Sequence, residues 1–520
     1  MTNMKDEFAE TTKKARDRRF RKRIVLLATV VLVVAGGVWG TTQALRICGS
    51  FGSGVYKIDG ECVGVNDGSY VFRSEFAGIE ERIADENARV RALGTSYVTI
   101  ALLDPLSASS SNVLPSGEIK NRLEGAYTAL RRANTTPVVG DTSPQIQLLL
   151  ASEGTTDAQW QRVTDQLVEM SRQPTNPLVA VIGMGVSTKQ TQQRAKKLSA
   201  AGIPMVSAYL GADVLDYTHI PGLIKAAPSN RYYVDALRRY VDSNGITSAI
   251  LVEDSNSEQG VDLFTEELRN NFTNTMGDLT KNFTTQVFTG VVGAPSGADP
   301  HLFSNIVANI CSAGSGLQAV LYAGREVDLR SFLHSLEFRP CLGTRLVILT
   351  AGLDLSEILN PAEEANLRDK NLKVVVASTV DAQGWRNHVT GTPEHYQELF
   401  SAFTHDGFDA ADLNGANAIM MHDALLTAVQ AVRLAAPKGS ISTPTAATVK
   451  TLLLNINGQY AVPGGSGTLS FSDHAGDTGE PVGKPLPVLQ YPPPSTGPSR
   501  QVGPLYCVMD QLNPSSRCTG

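Results

Sequence analysis

Residues 178–188 read LVAVIGMGVST. A polar stretch with helical spacing follows at about 188–201, and a second apolar run at 205–209. Leu178–Ile182 is short, apolar and uncharged, as a strand buried on both faces should be. Gly183 and Gly185 end it. Ser187 and Thr188 then stand where a helix opens, since hydroxyl side chains cap the free N–H groups of a first turn. Strand, helix and strand in so short a span predict a crossover between parallel neighbours.

The same alternation extends in both directions. Apolar runs at Tyr97–Leu103, Ile146–Ala151, Met205–Tyr209, Ser248–Val252, Ala319–Tyr322 and Leu346–Leu349 are separated by helical patterns, among them 121–133 and 157–171. Such alternation predicts an α/β fold of doubly wound parallel sheets covered on both faces. The main domain spans about 96–491, which is too long for one ordinary core and should divide in two. No repeat of solenoid period is present.

The N-terminus carries a different signal. Residues 1–23 are crowded with Lys13, Lys14, Arg16, Arg18, Arg19, Arg21, Lys22 and Arg23, and an uncharged apolar run follows from Ile24 to Leu45. A spanning helix needs about 17–25 residues of this kind. The basic flank keeps the N-terminus in the cytoplasm and sends the remainder across. No A-x-A site closes the run, and Cys48 follows Leu45-Arg46-Ile47 rather than small residues, so the expectation is an uncleaved anchor at 24–45. The net charge of −6 includes the basic tail, so the exported part is more acidic than the whole. That argues against nucleic acid as a partner, because no basic stripe remains to meet phosphates.

Six cysteines fall in neighbouring pairs: Cys48 and Cys62, Cys311 and Cys341, Cys507 and Cys518. Six allow fifteen pairings, of which the local one is simplest in chain topology and suits an oxidising compartment. No C-x-x-C and no nearby His pair indicates zinc. Residues 46–95 begin with a Gly-rich, turn-rich stretch and read as a disulfide-tied linker with a charged helix near 78–92. Residues 492–520 are rich in Pro and Ser and read as a surface tail pinned by Cys507 and Cys518.

Several segments, in chain order, resemble the type I periplasmic binding proteins of the leucine/isoleucine/valine-binding family. Leu102–Ser107 (LLDPLS) is similar to the family's first-strand turn, and 178–188 to its third strand. Gly202–Ala208 (GIPMVSA), Leu223–Asn230 (LIKAAPSN), Ile250–Gly260 (ILVEDSNSEQG), Met421–Ala424 (MHDA) and Gly464–Gly476 (GGSGTLSFSDHAG) resemble later family segments. The resemblance implies two lobes joined by three crossings, near Leu223–Pro228, Leu349–Leu353 and Gly464–Phe471. Lobe one then takes 96–224 and 351–465, and lobe two takes 225–350 and 466–491.

It also implies a ligand cleft. Ser187, Thr188, Ser207 and Tyr209 are the expected wall from one lobe. Arg325, Glu326 and Asp354 are expected from elsewhere in the cleft, Arg325 forking onto an acid and Asp354 meeting an ammonium group. Three positions depart from the family pattern: Ala108 for Gly, Gln259 for an aromatic residue and His422 for Tyr. These departures bear on which ligand is recognised.

Catalytic signatures are missing. The chain contains no G-x-S-x-G elbow, no H-E-x-x-H and no phosphate-binding loop, and Gly183–Gly185 lacks the rest of a dinucleotide fingerprint. No cofactor or metal is expected. The reading is an extracytoplasmic binding protein serving an ABC importer and its permease. The alternative is a sensor that reports ligand to a membrane or cytoplasmic partner.

Overall fold

The computed structural model describes residues 48–49, 53–107, 114–155, 158–257, 261–291, 302–355, 358–389, 391–436, 443–495, 499–503, 505–508 and 518. The expected tail and anchor at 1–45 lie outside these residues, as do Ala108 and Gln259.

Two sheets organise the chain, as expected of a doubly wound α/β protein. The first has seven strands in the order β1 (Val55–Ile58), β2 (Glu61–Asn66), β4 (Gln145–Ser152), β3 (Tyr97–Leu103), β5 (Leu178–Gly183), β6 (Met205–Ser207) and β7 (Leu223–Lys225). From β4 to β7 all neighbours run parallel. Ile100 and Leu102 pack on one face of the sheet, Ala101 and Leu103 on the other, because successive side chains of a strand point oppositely. Both faces are covered, so charge has no place in these runs.

The face bearing Ile100 and Leu102 packs on helices Ala77–Ala92, Ser116–Thr135 and Asn417–Ala435. The last of these is long and apolar enough to span a bilayer, yet it lies buried within the protein. It is a core helix, apolar on every side. Gly125 lets it approach Ser116–Thr135, since a Cβ there would collide with the Ala418 carbonyl.

The second sheet has six strands in the order β16 (Val488–Tyr491), β12 (Leu372–Ala377), β11 (Leu346–Ala351), β10 (Ala319–Ala323), β8 (Ala249–Asp254) and β9 (Gln286–Phe288). Only β16 is antiparallel to its neighbour. Two apolar layers cover its faces.

Three boundaries differ from expectation. Residues 46–95 are not a linker, because β1 and β2 form a hairpin that pairs with β4 and so belongs to the first sheet. Its two-residue turn is Asp59-Gly60, both at positive φ, which is the chemistry of a type I′ hairpin. The middle crossing follows Ala377 rather than Leu349–Leu353, because Leu346–Ala351, helix Pro361–Asp369 and Leu372–Ala377 form one further parallel unit of the second sheet. The last crossing follows Phe471, since β13 (Val462–Gly464) and β14 (Gly467–Leu469) pair together and Leu469 and Phe471 pack in the first lobe.

The C-terminal segment is also more than a tail. Val502 N–H donates to the Val488 carbonyl and Gln490 N–H to the Arg500 carbonyl, so 499–503 lies along β16. β17 (Tyr506–Cys507) pairs with β15 (Pro485–Leu486). All three neighbouring cysteine pairs are disulfides. Cys311–Cys341 joins helix Ser304–Ser312 to the turn before β11, wholly within the second lobe.

Candidate functional site

Parallel strands of both lobes end at one junction, where loops and helix N-termini face each other. A cavity of about 80 Å³ lies there, small beside the several hundred Å³ of common ligand pockets. Its first-lobe wall includes Glu118 and Arg122 from the first turns of Ser116–Thr135, Ser187 after β5, Tyr209 after β6, and Asn417 at the start of the buried core helix. Its second-lobe wall includes Tyr233, Phe264, Arg325, Glu326, Gly352 and Asp354. Thr379, on the middle crossing, closes one side.

The lobes touch across this junction. Phe264 N–H donates to the Ser187 carbonyl at 3.2 Å, and Lys189 N–H to the Val261 carbonyl at 3.1 Å. Asp354 of the second lobe accepts the Ala416 N–H at 2.7 Å and the Asn417 side-chain amide at 3.1 Å. This is a carboxylate at the N-terminus of the core helix, where the unpaired N–H groups and the helix dipole favour negative charge.

Both arginines in the wall are held by acids of the chain itself. Arg325 Nε donates to Asp262 at 2.6 Å, and its Nη2 reaches Asp262 at 2.9 Å and the Ser187 carbonyl at 3.3 Å. Its guanidinium also stands over the Phe264 ring. Arg122 donates to Asp104 at 3.0 Å and to Asn417 Oδ1 at 2.8 Å, with its guanidinium 4.5 Å from the Tyr209 ring centre. Burial pushes the Asp104 carboxyl up, and Arg122 draws it back.

Glu118 has no such cation of its own. Its carboxyl lies within hydrogen-bonding reach of Glu326 and Asn417. Burial, and then the charge of Asp354, push it up to about 7. Tyr209 is held far above its ordinary value by burial, and its buried hydroxyl has no hydrogen-bond partner.

The structure brings Ser187, Tyr209, Arg325, Glu326 and Asp354 to the cavity. Thr188 does not line it. Its hydroxyl caps helix Lys189–Ala200 by accepting the Thr191 N–H at 3.2 Å. Ser207 lies buried at the end of β6, away from the lining. Arg325, expected to fork onto an acid from outside, forks onto Asp262. Glu118, Arg122, Tyr233, Phe264, Thr379 and Asn417 escaped the sequence reading. For Glu118 and Arg122 the available signal was their spacing of four, which sets them one turn apart on one helical face. The helix was expected to begin near 121, after Glu118.

His422 lies inside the core helix, remote from the cavity lining. Its Nδ1 pairs with Asp423 Oδ1 at 2.9 Å and its Nε2 with Arg132 at 2.9 Å. Burial holds it below the ordinary histidine range. Asp423 in turn accepts the Gly465 and Ser466 N–H groups, and Lys484 donates to the Ser466 hydroxyl. This chain links the core helix to the last crossing. Among the described residues no His, Cys, Asp and Glu cluster is arranged to hold a metal ion.

No protein-family model matches the sequence, and a comparison with curated proteins finds no match. Solved structures do match. A solute-binding protein of an ABC transporter from Rhodopseudomonas palustris HaA2, in complex with p-hydroxybenzoic acid, is 12% identical with a TM-score of 0.58, covering 81% of this chain and 100% of that one. The branched-chain amino acid transporter substrate-binding protein of Streptococcus pneumoniae, in complex with isoleucine, is 15% identical with a TM-score of 0.55, covering 80% and 100%. A leucine-binding protein from Thermotoga maritima is 13% identical with a TM-score of 0.53, covering 75% and 94%. The likeness at these identities is one of fold.

Proposed function

We propose that this chain is an extracytoplasmic binding protein that holds a small molecule between its lobes by hinge closure. It is anchored by the apolar segment 24–45 with its N-terminus in the cytoplasm, and it delivers ligand to an ABC permease. The observation that carries the reading is the enclosed cavity at the lobe junction, walled from both sides by polar groups and aromatic rings. Ligand favours the closed form through the contacts that it makes with both lobes at once.

A wider hollow of about 580 Å³ meets the cavity at Leu353, Asp354 and Ala416 and runs beside the middle crossing. It is the natural route of entry. A binding role fits a site with no nucleophile–base pair among its lining residues better than a catalytic one does.

The test is a thermal-shift and calorimetric screen of the full-length chain against amino acids, amides, small acids, amines and sugars. Binding of one class, lost in Ser187→Ala and Glu326→Ala, supports the reading. Failure of every class to bind overturns it. Membrane retention of the full chain, and its release on deletion of residues 1–45, tests the anchor separately.

A further inference from the structure

The charge balance of the cavity narrows the ligand, and this inference rests on the binding reading above. Glu118 and Glu326 belong to opposite lobes, and their carboxyls come within hydrogen-bonding reach of each other. Asp354 adds a third carboxylate to the same wall. Glu118 is only 2% exposed, and its Oε1 accepts no hydrogen bond. The unpartnered Tyr209 hydroxyl lies in the same lining.

No guanidinium is available to balance these acids. Arg122 is committed to Asp104 and Asn417, and Arg325 to Asp262 and the Ser187 carbonyl. The N-termini of helices Ser116–Thr135, Glu326–Glu337 and Asn417–Ala435 point here, but each contributes only about half a unit of positive charge. A ligand carboxylate entering this space meets three acids and no uncommitted arginine. Two facing carboxyls at such range must share a proton or enclose a cation.

We propose that the cleft takes a small cationic ligand, an amine or guanidine without a free carboxylate, seated between Glu118, Glu326 and Asp354. Without ligand, one proton shared by Glu118 and Glu326 holds the lobes' facing carboxyls together. Ligand charge replaces that proton, so binding releases it. The other charged groups facing the site, Arg122, Arg325, Asp104 and Asp262, stay paired throughout.

The test uses the full-length chain and a fixed panel of ethylamine, putrescine, agmatine, leucine and benzoate. Calorimetry in two buffers of different ionisation enthalpy reads both affinity and proton release. The expected result is binding of at least one amine with release of a proton. Affinity should rise up to about tenfold per unit from about pH 6 and level off above about pH 8. Glu118→Gln should weaken amine binding at least about tenfold and abolish the pH slope. Glu326→Gln, on the other lobe, gives the same reading should Glu118→Gln fail to fold. Binding of leucine or benzoate with no amine overturns the cation inference and leaves the binding reading intact. Amine affinity unchanged in both variants also overturns it. No binding by any panel member at millimolar concentration removes both.

Discussion

Lys225 and Glu480 face each other at 3.7 Å inside the protein, one at the first inter-lobe crossing and the other at the last. Each side chain is 1% exposed. Lys225 Nζ also donates to the Ala212 carbonyl at 3.1 Å, and Glu480 accepts the Ser229 N–H at 3.1 Å. Two of the strands between the lobes are thus fastened to one another, and the hinge pivots as a tied bundle.

Lys225→Met leaves Glu480 buried without its cation. Removing one partner of a buried pair costs about 3–5 kcal/mol. Urea denaturation of the variant should show that loss. A change below about 1 kcal/mol would mean that the pair does not hold the hinge.

Arg325 and Asp262 should act as one unit. Arg325→Ala strands a buried carboxylate and Asp262→Ala strands a guanidinium, so the double variant should be less damaged than the two single losses combined. The coupling energy from a double-mutant cycle should fall at about 1–3 kcal/mol. Strict additivity would contradict the bidentate geometry seen here.

Asp354→Ala removes two hydrogen bonds that reach from the second lobe to the start of the core helix. The expected cost is about 1–2 kcal/mol, taken from the closed form. Small-angle scattering of the variant should give a larger radius of gyration than the parent protein. An unchanged radius would assign these bonds to local capping alone.

Glu118 predicts a pH effect of definite sign. Its carboxyl is raised from 4.5 to about 7 in the folded protein, so the folded form binds the extra proton. Stability from this group is full below about pH 4.5 and is lost as pH rises through about 7. Over that window Glu118→Gln should remove a decline of about 3 kcal/mol from the difference between variant and parent stability curves. Parallel curves would show that Glu118 titrates normally.

Much of the architecture was legible in the chain because strands buried on both faces tolerate no charge. Tyr97–Leu103, Leu178–Ile182 and Ala319–Tyr322 announce themselves in this way. Leu372–Ala377 (LKVVVA) did so less clearly, since Lys373 interrupts the run, and missing it displaced the middle crossing. The hairpin at Asp59-Gly60 carried a specific turn signal that the surrounding glycines disguised as linker. The site was harder to read. Ser187, Tyr209, Arg325, Glu326 and Asp354 follow strands, where α/β folds gather their functional groups. Glu118 and Asn417 meet across the fold from positions remote in sequence, and no local pattern reports that meeting. Nor does sequence say that Arg325 finds its acid in Asp262 of the same lobe.

The path of the last described residues has a consequence for how the chain can be handled by the cell. Segment 499–503 lies on β16 and β17 on β15, so the outer rim of the second sheet has its backbone groups engaged. An uncovered rim is a template for adding a strand from another molecule. The second lobe receives this seal only after the core helix of the first lobe has been synthesised. Until then the nascent protein carries an adhesive border, and premature termination before residue 499 should yield aggregates rather than a merely shorter protein.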